Sequence, residues 1–116
     1  MKEQQLIETL EELKERVASL DEWSSANARK LEYINEQFLG IACSLLEMVG
    51  RDPASFLIQQ DDTNQEVGRA QSVSIKKKSD LAFHQRYYDK AKRHLIDEIP
   101  ELINVYIRYK EQGLNK

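Results

Sequence analysis

The chain has 116 residues, 41% of them apolar and 32% charged, with four Gly, two Pro and one Cys, a make-up that suits one soluble domain rich in helix. The formal net charge of −3 gives no bulk attraction to nucleic acid, and no apolar run approaches the roughly 18 residues of a membrane span. The opening Met1-Lys2-Glu3-Gln4-Gln5 is too polar and acidic for a signal peptide, and Cys43, in the apolar stretch 38–49, has no internal disulfide partner; a reduced, buried thiol and a cytoplasmic location are the default expectations.

The first predicted element is carried by an apolar stripe at Leu6, Leu10, Leu13, Val17, Leu20, Ser24, Asn27, Leu31, Ile34, Phe38, Ile41, Leu45 and Met48. Steps of three and four alternate throughout, as in a coiled-coil seam, and only Ser24 and Asn27 are polar. The stretch 21–27 reads in two ways. It is either a turn, with Ser24 or Ser25 capping a second helix, or a run of helix in which Ser24 and Asn27 are polar layers that fix register. No Gly or Pro forces a break and the phase survives the crossing, so the favoured expectation is one helix over 6–48, about 65 Å long at about 1.5 Å per residue. From Leu31 onward Leu39, Ala42, Leu46 and Val49 widen the apolar face, which calls for more than one neighbour.

Gly50 reads as a helix C-cap, and Asp52-Pro53 as the start of a short helix over 53–60 with Phe56, Leu57 and Ile58 as its contacts. Residues 61–78 show no apolar periodicity and are expected to form a mobile loop, with brief strand pairing available to Val73 and Ile75. Ser79-Asp80 caps a last long helix whose seam is Leu81, His84, Tyr88, Ala91, Leu95, Ile99, Leu102, Tyr106 and Tyr109. Pro100 either divides that helix in two or kinks it, and Gly113 ends it. The expected fold is thus a single all-α domain over 1–116, a long-helix antiparallel bundle completed by dimerisation. The dimer interface would run along Leu10, Leu13, Val17, Leu20, Leu31, Ile34, Phe38, Ile41 and Leu45.

Chemical motifs are sparse. His84 and His94 lack the pairing and Cys partners of a metal site, so hydrogen bonding is expected of both. Adjacent carboxylates such as Asp61-Asp62 lack the alternating oxygens and Gly of a calcium loop. The four glycines are isolated from one another, and no nucleophile elbow is present. Neither enzyme activity, nor a metal, nor a cofactor is expected.

Charge distribution is more informative. Residues 66–96 carry eight basic and three acidic side chains, against six and thirteen in residues 1–65. Arg69, Lys76, Lys77 and Lys78 precede a helix on which Arg86, Lys90 and Arg93 share a face, with Tyr87 interleaved. Two readings follow. The basic segment complements the acidic first helix, leaving a self-associating adaptor, chaperone or regulatory subunit with a protein partner of unstated identity. Alternatively, Lys76, Lys77, Lys78, Arg86, Lys90 and Arg93 track a phosphate backbone while Tyr87 stacks on a base. The first is the expected function and the second the alternative.

Overall fold

A computed structural model describes residues 3–71 and 77–114 of the chain. Five helices pack against one another as an all-α bundle: α1 Glu3–Ser19, α2 Ser25–Met48, α3 Ala54–Gln59, α4 Asp61–Ala70 and α5 Lys78–Leu114. The described residues contain no strand. The expected pairing of Val73 with Ile75 falls outside them.

The stripe from Leu6 to Met48 is not one helix. The chain leaves the helical path at Leu20 and re-enters it at Ser25, and the turn alternative is the correct one. Ser24 is extended, with φ −151° and ψ 163°, and its hydroxyl accepts from the Asn27 amide at 2.9 Å, an N-cap bond. The Asn27 side chain donates to the Glu22 carbonyl at 2.9 Å. Of the two polar members of the stripe, Ser24 is therefore the N-cap of α2 and Asn27 a residue of its first turn, and neither is a buried layer.

A break without Gly or Pro is possible because α5 satisfies the exposed carbonyls. Lys92 Nζ donates to the Leu20 carbonyl at 2.8 Å, and the Tyr88 hydroxyl to the Asp21 carbonyl at 2.7 Å. Trp23 Nε1 ties the same turn to the Ala70 carbonyl of α4 at 2.9 Å. The phase persists across the turn because both helices of the hairpin present their stripes to one core.

That core lies within the chain. Leu10, Leu13, Val17, Leu31, Ile34, Phe38 and Leu45, expected at a dimer interface, are buried together with Ala91, Leu95, Ile99 and Leu102 of α5. Leu20 and Ile41 pack at its margin. The α2 face also drifts relative to a heptad: Ala42 and Leu46 are buried while Met48 points outward, as a straight 3.6-residue helix requires.

α2 ends in a Schellman arrangement. Gly50 has φ +72°, its amide donates to the Glu47 carbonyl at 3.0 Å, and Arg51 N donates to the Leu46 carbonyl at 2.9 Å. The Asp52 carboxylate then accepts from the Ala54 amide at 3.0 Å and starts α3. Of the three expected contacts of α3, only Phe56 packs, edge-on to Phe38 with ring centroids 5.8 Å apart.

Residues 61–70, expected in a loop, form α4. Their buried positions are Thr63, Glu66, Val67 and Ala70, a helical spacing written mostly in polar and small residues. Residues 72–76, the rest of that loop, lie outside the described residues. α5 runs unbroken through Pro100, and the seam on either side of it, Ile99 and Leu102, stays buried. At 37 residues α5 is about 55 Å long, and it spans the long axis of a body measuring 58 × 24 × 19 Å. α1 and α4 both lie antiparallel to it, as the pairings of Glu3 with Lys110 and Leu20 with Lys92, and of Thr63 with Glu98 and Arg69 with His84, show.

Candidate functional site

Polar chemistry gathers in three places along α5. The first is the α4–α5 seam. Glu98 is half-buried; its carboxylate accepts from the Thr63 hydroxyl at 3.0 and 3.1 Å. The Gln60 amide, with its nitrogen turned to the carboxylate, donates at 3.1 and 3.2 Å. Burial pushes Glu98 above the ordinary carboxylate range, partly offset by the Thr63 hydrogen bond and by His94. One turn away His94 Nδ1 meets Glu66 Oε1 at 2.6 Å. These groups are hydrogen-bonded across two helices, which gives α4 its register. Among the described residues no group of three or more His, Cys, Asp or Glu side chains is arranged to hold a metal ion.

Beside Glu98 opens a cavity of about 410 Å³ between the end of α2, α3 and the second half of α5. Arg51 covers the Tyr109 ring at 4.2 Å on one wall, and Phe56, Leu102 and Val105 supply apolar surface. This is the α3 end of the bundle. Leu57 is 40% and Ile58 75% exposed there, and Met48, at the end of α2, is 50% exposed. The sequence signal was available: three consecutive apolar residues, Phe56-Leu57-Ile58, cannot all face inward when each step turns about 100°.

The third gathering is at the opposite end. Tyr87 has the Arg69, Arg86 and Lys90 cations 5.1, 5.3 and 5.5 Å from its ring centroid. Phe83 stands edge-on to it at 4.8 Å and to His84 at 5.4 Å, and His84 stacks on Trp23 at 6.1 Å. His84 Nδ1 lies 2.6 Å from the Arg69 carbonyl. A carbonyl only accepts, so that nitrogen carries the hydrogen. Both histidines are thus hydrogen-bonded, as expected from their surroundings in the sequence.

The basic candidates are only partly brought together. Arg86 and Lys90 converge on Tyr87, joined by Arg69 from α4, while Arg93 lies exposed one turn further along. Lys77 and Lys78 are exposed where α5 begins; Lys76 falls outside the described residues. Two expectations change. Tyr87 is already crowded by cations and by Phe83, so the open aromatic is Phe83, 38% exposed. Among the described residues the acidic first helix forms no ion pair with the basic segment; it pairs with α5 through Glu3–Lys110 at 2.7 Å, far from that segment. Among the described residues Arg69, Arg86, Lys90 and Arg93 form no ion pair.

Phe83, Arg69, Leu57 and Ile58 are the surface residues that sequence periodicity did not single out as sites. No described helix is long and apolar enough to cross a membrane. No family model, curated protein or solved structure matches the chain.

Proposed function

We propose that the chain is a non-enzymatic, self-associating interaction module of the adaptor or regulatory kind, and that it associates through the corner where α2 ends and α3 begins. One observation carries this reading. α3 has the sequence Ala-Ser-Phe-Leu-Ile-Gln, yet none of its residues is buried. The stripes of α1, α2 and α5 are covered within the chain, so Leu57, Ile58 and Met48 are apolar surface with no intramolecular use.

A second copy is the partner that fits. Two-fold pairing brings a patch against itself, and therefore needs both signs of charge around its apolar centre. Glu47, Arg51 and Asp52 supply them at this corner, all exposed. The interface proposed thus keeps only Met48 of the 6–48 stripe, whose other apolar members pack within the monomer.

Sedimentation velocity from low to high micromolar concentration tests the reading. The wild-type chain should move toward twice the monomer mass as concentration rises. Ile58→Glu should stay monomeric with an unchanged melting temperature, since Ile58 lies outside the core. A wild-type chain that is monomeric throughout, or an Ile58→Glu chain that associates as the wild type does, sinks it.

A further inference from the structure

We infer that the end of the bundle opposite α3 binds single-stranded nucleic acid, through a cationic and aromatic face built by the C-terminal end of α4 and the first four turns of α5. The inference is independent of self-association, because the two surfaces lie at opposite ends of the molecule.

The first argument is electrostatic. Arg69, Arg86 and Lys90 crowd within 5.5 Å of one ring centroid. Like charges gather at a cost, and the Tyr87 ring offsets part of it through its cation–π contacts. No described carboxylate pairs with any of the three, nor with Arg93. Asp89 lies on the same stretch of helix and Asp80 accepts from the Lys77 amide at 3.1 Å, so the face is not free of acid, but its cations outnumber its carboxylates. Lys77 and Lys78 add charge where the α5 dipole already favours anions.

The second argument is spacing. Arg86, Lys90 and Arg93 follow one another at four and three residues, about 10 Å along the helix at about 1.5 Å per residue. Stacked nucleotides place a phosphate about every 3.4 Å of rise along a strand, so this row spans about three such steps, a run of about four phosphates.

The third argument selects the single strand. Phe83 is a large apolar side chain, 38% exposed, one turn before Tyr87 and held edge-on by it. A base in a duplex keeps both faces stacked on its neighbours and has none to offer. An unpaired base can lie on Phe83 while its phosphates meet Arg86 and Lys90. The aromatic at the head of the cation row is what distinguishes this face from a plain basic patch.

Fluorescence anisotropy with end-labelled oligo-dT and oligo-U, and with a duplex of equal length, tests the inference over a series of salt concentrations. Binding to the single strands is expected, with log affinity falling against log salt at a slope of about −2 to −3, the value for three to four phosphates at about −0.7 each. Phe83→Ala should weaken single-strand binding about ten-fold. Arg86→Glu, Lys90→Glu and Arg93→Glu together should abolish it while the helical circular dichroism and cooperative unfolding are retained, because none of the three is buried. Arg108→Glu and Ile58→Glu, at the other end, should bind as the wild type does, which separates this surface from the self-association corner. No anisotropy change at low salt, a duplex bound as tightly as the single strands, or binding indifferent to the triple reversal overturns the inference.

Discussion

Glu98 on α5 and Glu3 on α1 show how the same side-chain chemistry takes opposite directions in one bundle. Burial raises Glu98 above its ordinary range, so the folded chain keeps that proton to higher pH than the unfolded chain does. Its contribution to stability is complete below the unfolded carboxylate value, about 4.3, and declines as pH rises through the folded value. Glu3 is held low, first by the Lys110 and Tyr106 hydrogen bonds, so its contribution is present at neutral pH and lost on acidification. Glu98→Gln retains an oxygen for Thr63 and removes the charge. The expected outcome is a variant more stable than wild type to urea at pH 7, with the difference closing near pH 4. Equal destabilisation at both pH values would show that the carboxylate is needed as an ion. Tyr88 and Tyr106 carry the same logic to the alkaline side: burial pushes both hydroxyls up to about 12, and each donates to an acceptor on the α1 side of the fold, the Asp21 carbonyl and the Glu3 carboxylate.

At the scale of elements, Pro100 is the anomaly. It lies inside α5 and removes the amide that the Ile96 carbonyl would accept from, yet the helix continues. Packing of Ile99 and Leu102 on either side outweighs a local cost of about 3 kcal/mol. Pro100→Ala is expected to stabilise the chain by about 1–3 kcal/mol in thermal or urea unfolding; a lower melting temperature would mean that the core is fitted to a bend at this point. The helical character of α1, α2, α3 and α5 was legible in the sequence, though α1 and α2 read as one helix, because caps and apolar stripes are local signals: Gly50, Asp52-Pro53 and the 3-4 spacing. α4 was not. Its buried face consists of Thr63, Glu66, Val67 and Ala70, preceded by Gln60, and hydrophobic periodicity cannot register a stripe whose partners are Glu98 and His94 on another helix. The break at residues 20–24 was hidden for a related reason. The donors that stabilise its carbonyls, Tyr88 and Lys92, stand 67 and 72 residues away. Of the candidate sites, the basic segment was visible as composition, but its convergence on Tyr87 needed Arg69 from a helix that periodicity missed.

For the whole molecule, the fate of the long stripe decides between core and interface. Leu31 is fully buried within one chain. Leu31→Ala should therefore cost about 2–5 kcal/mol, a large share of the roughly 5–15 kcal/mol that holds a small domain together. Association of the molecules that remain folded should be unchanged. A folded but dissociated Leu31→Ala variant would place the stripe between chains instead. The span of α5 has a further consequence, for the order of events at the ribosome. Synthesis is vectorial, and α5, which covers α1, α2 and α4, is made after all three. Until it emerges, the Leu6–Val17 and Leu31–Leu46 faces have only each other and α4 to lean on, and Glu3 waits for Tyr106 and Lys110, 103 and 107 positions later. Closing contacts of that reach comes late and slowly. Exit of α5 from the ribosome is therefore the event that permits this bundle to close, and until then the α1 and α2 faces lack the cover that this helix supplies.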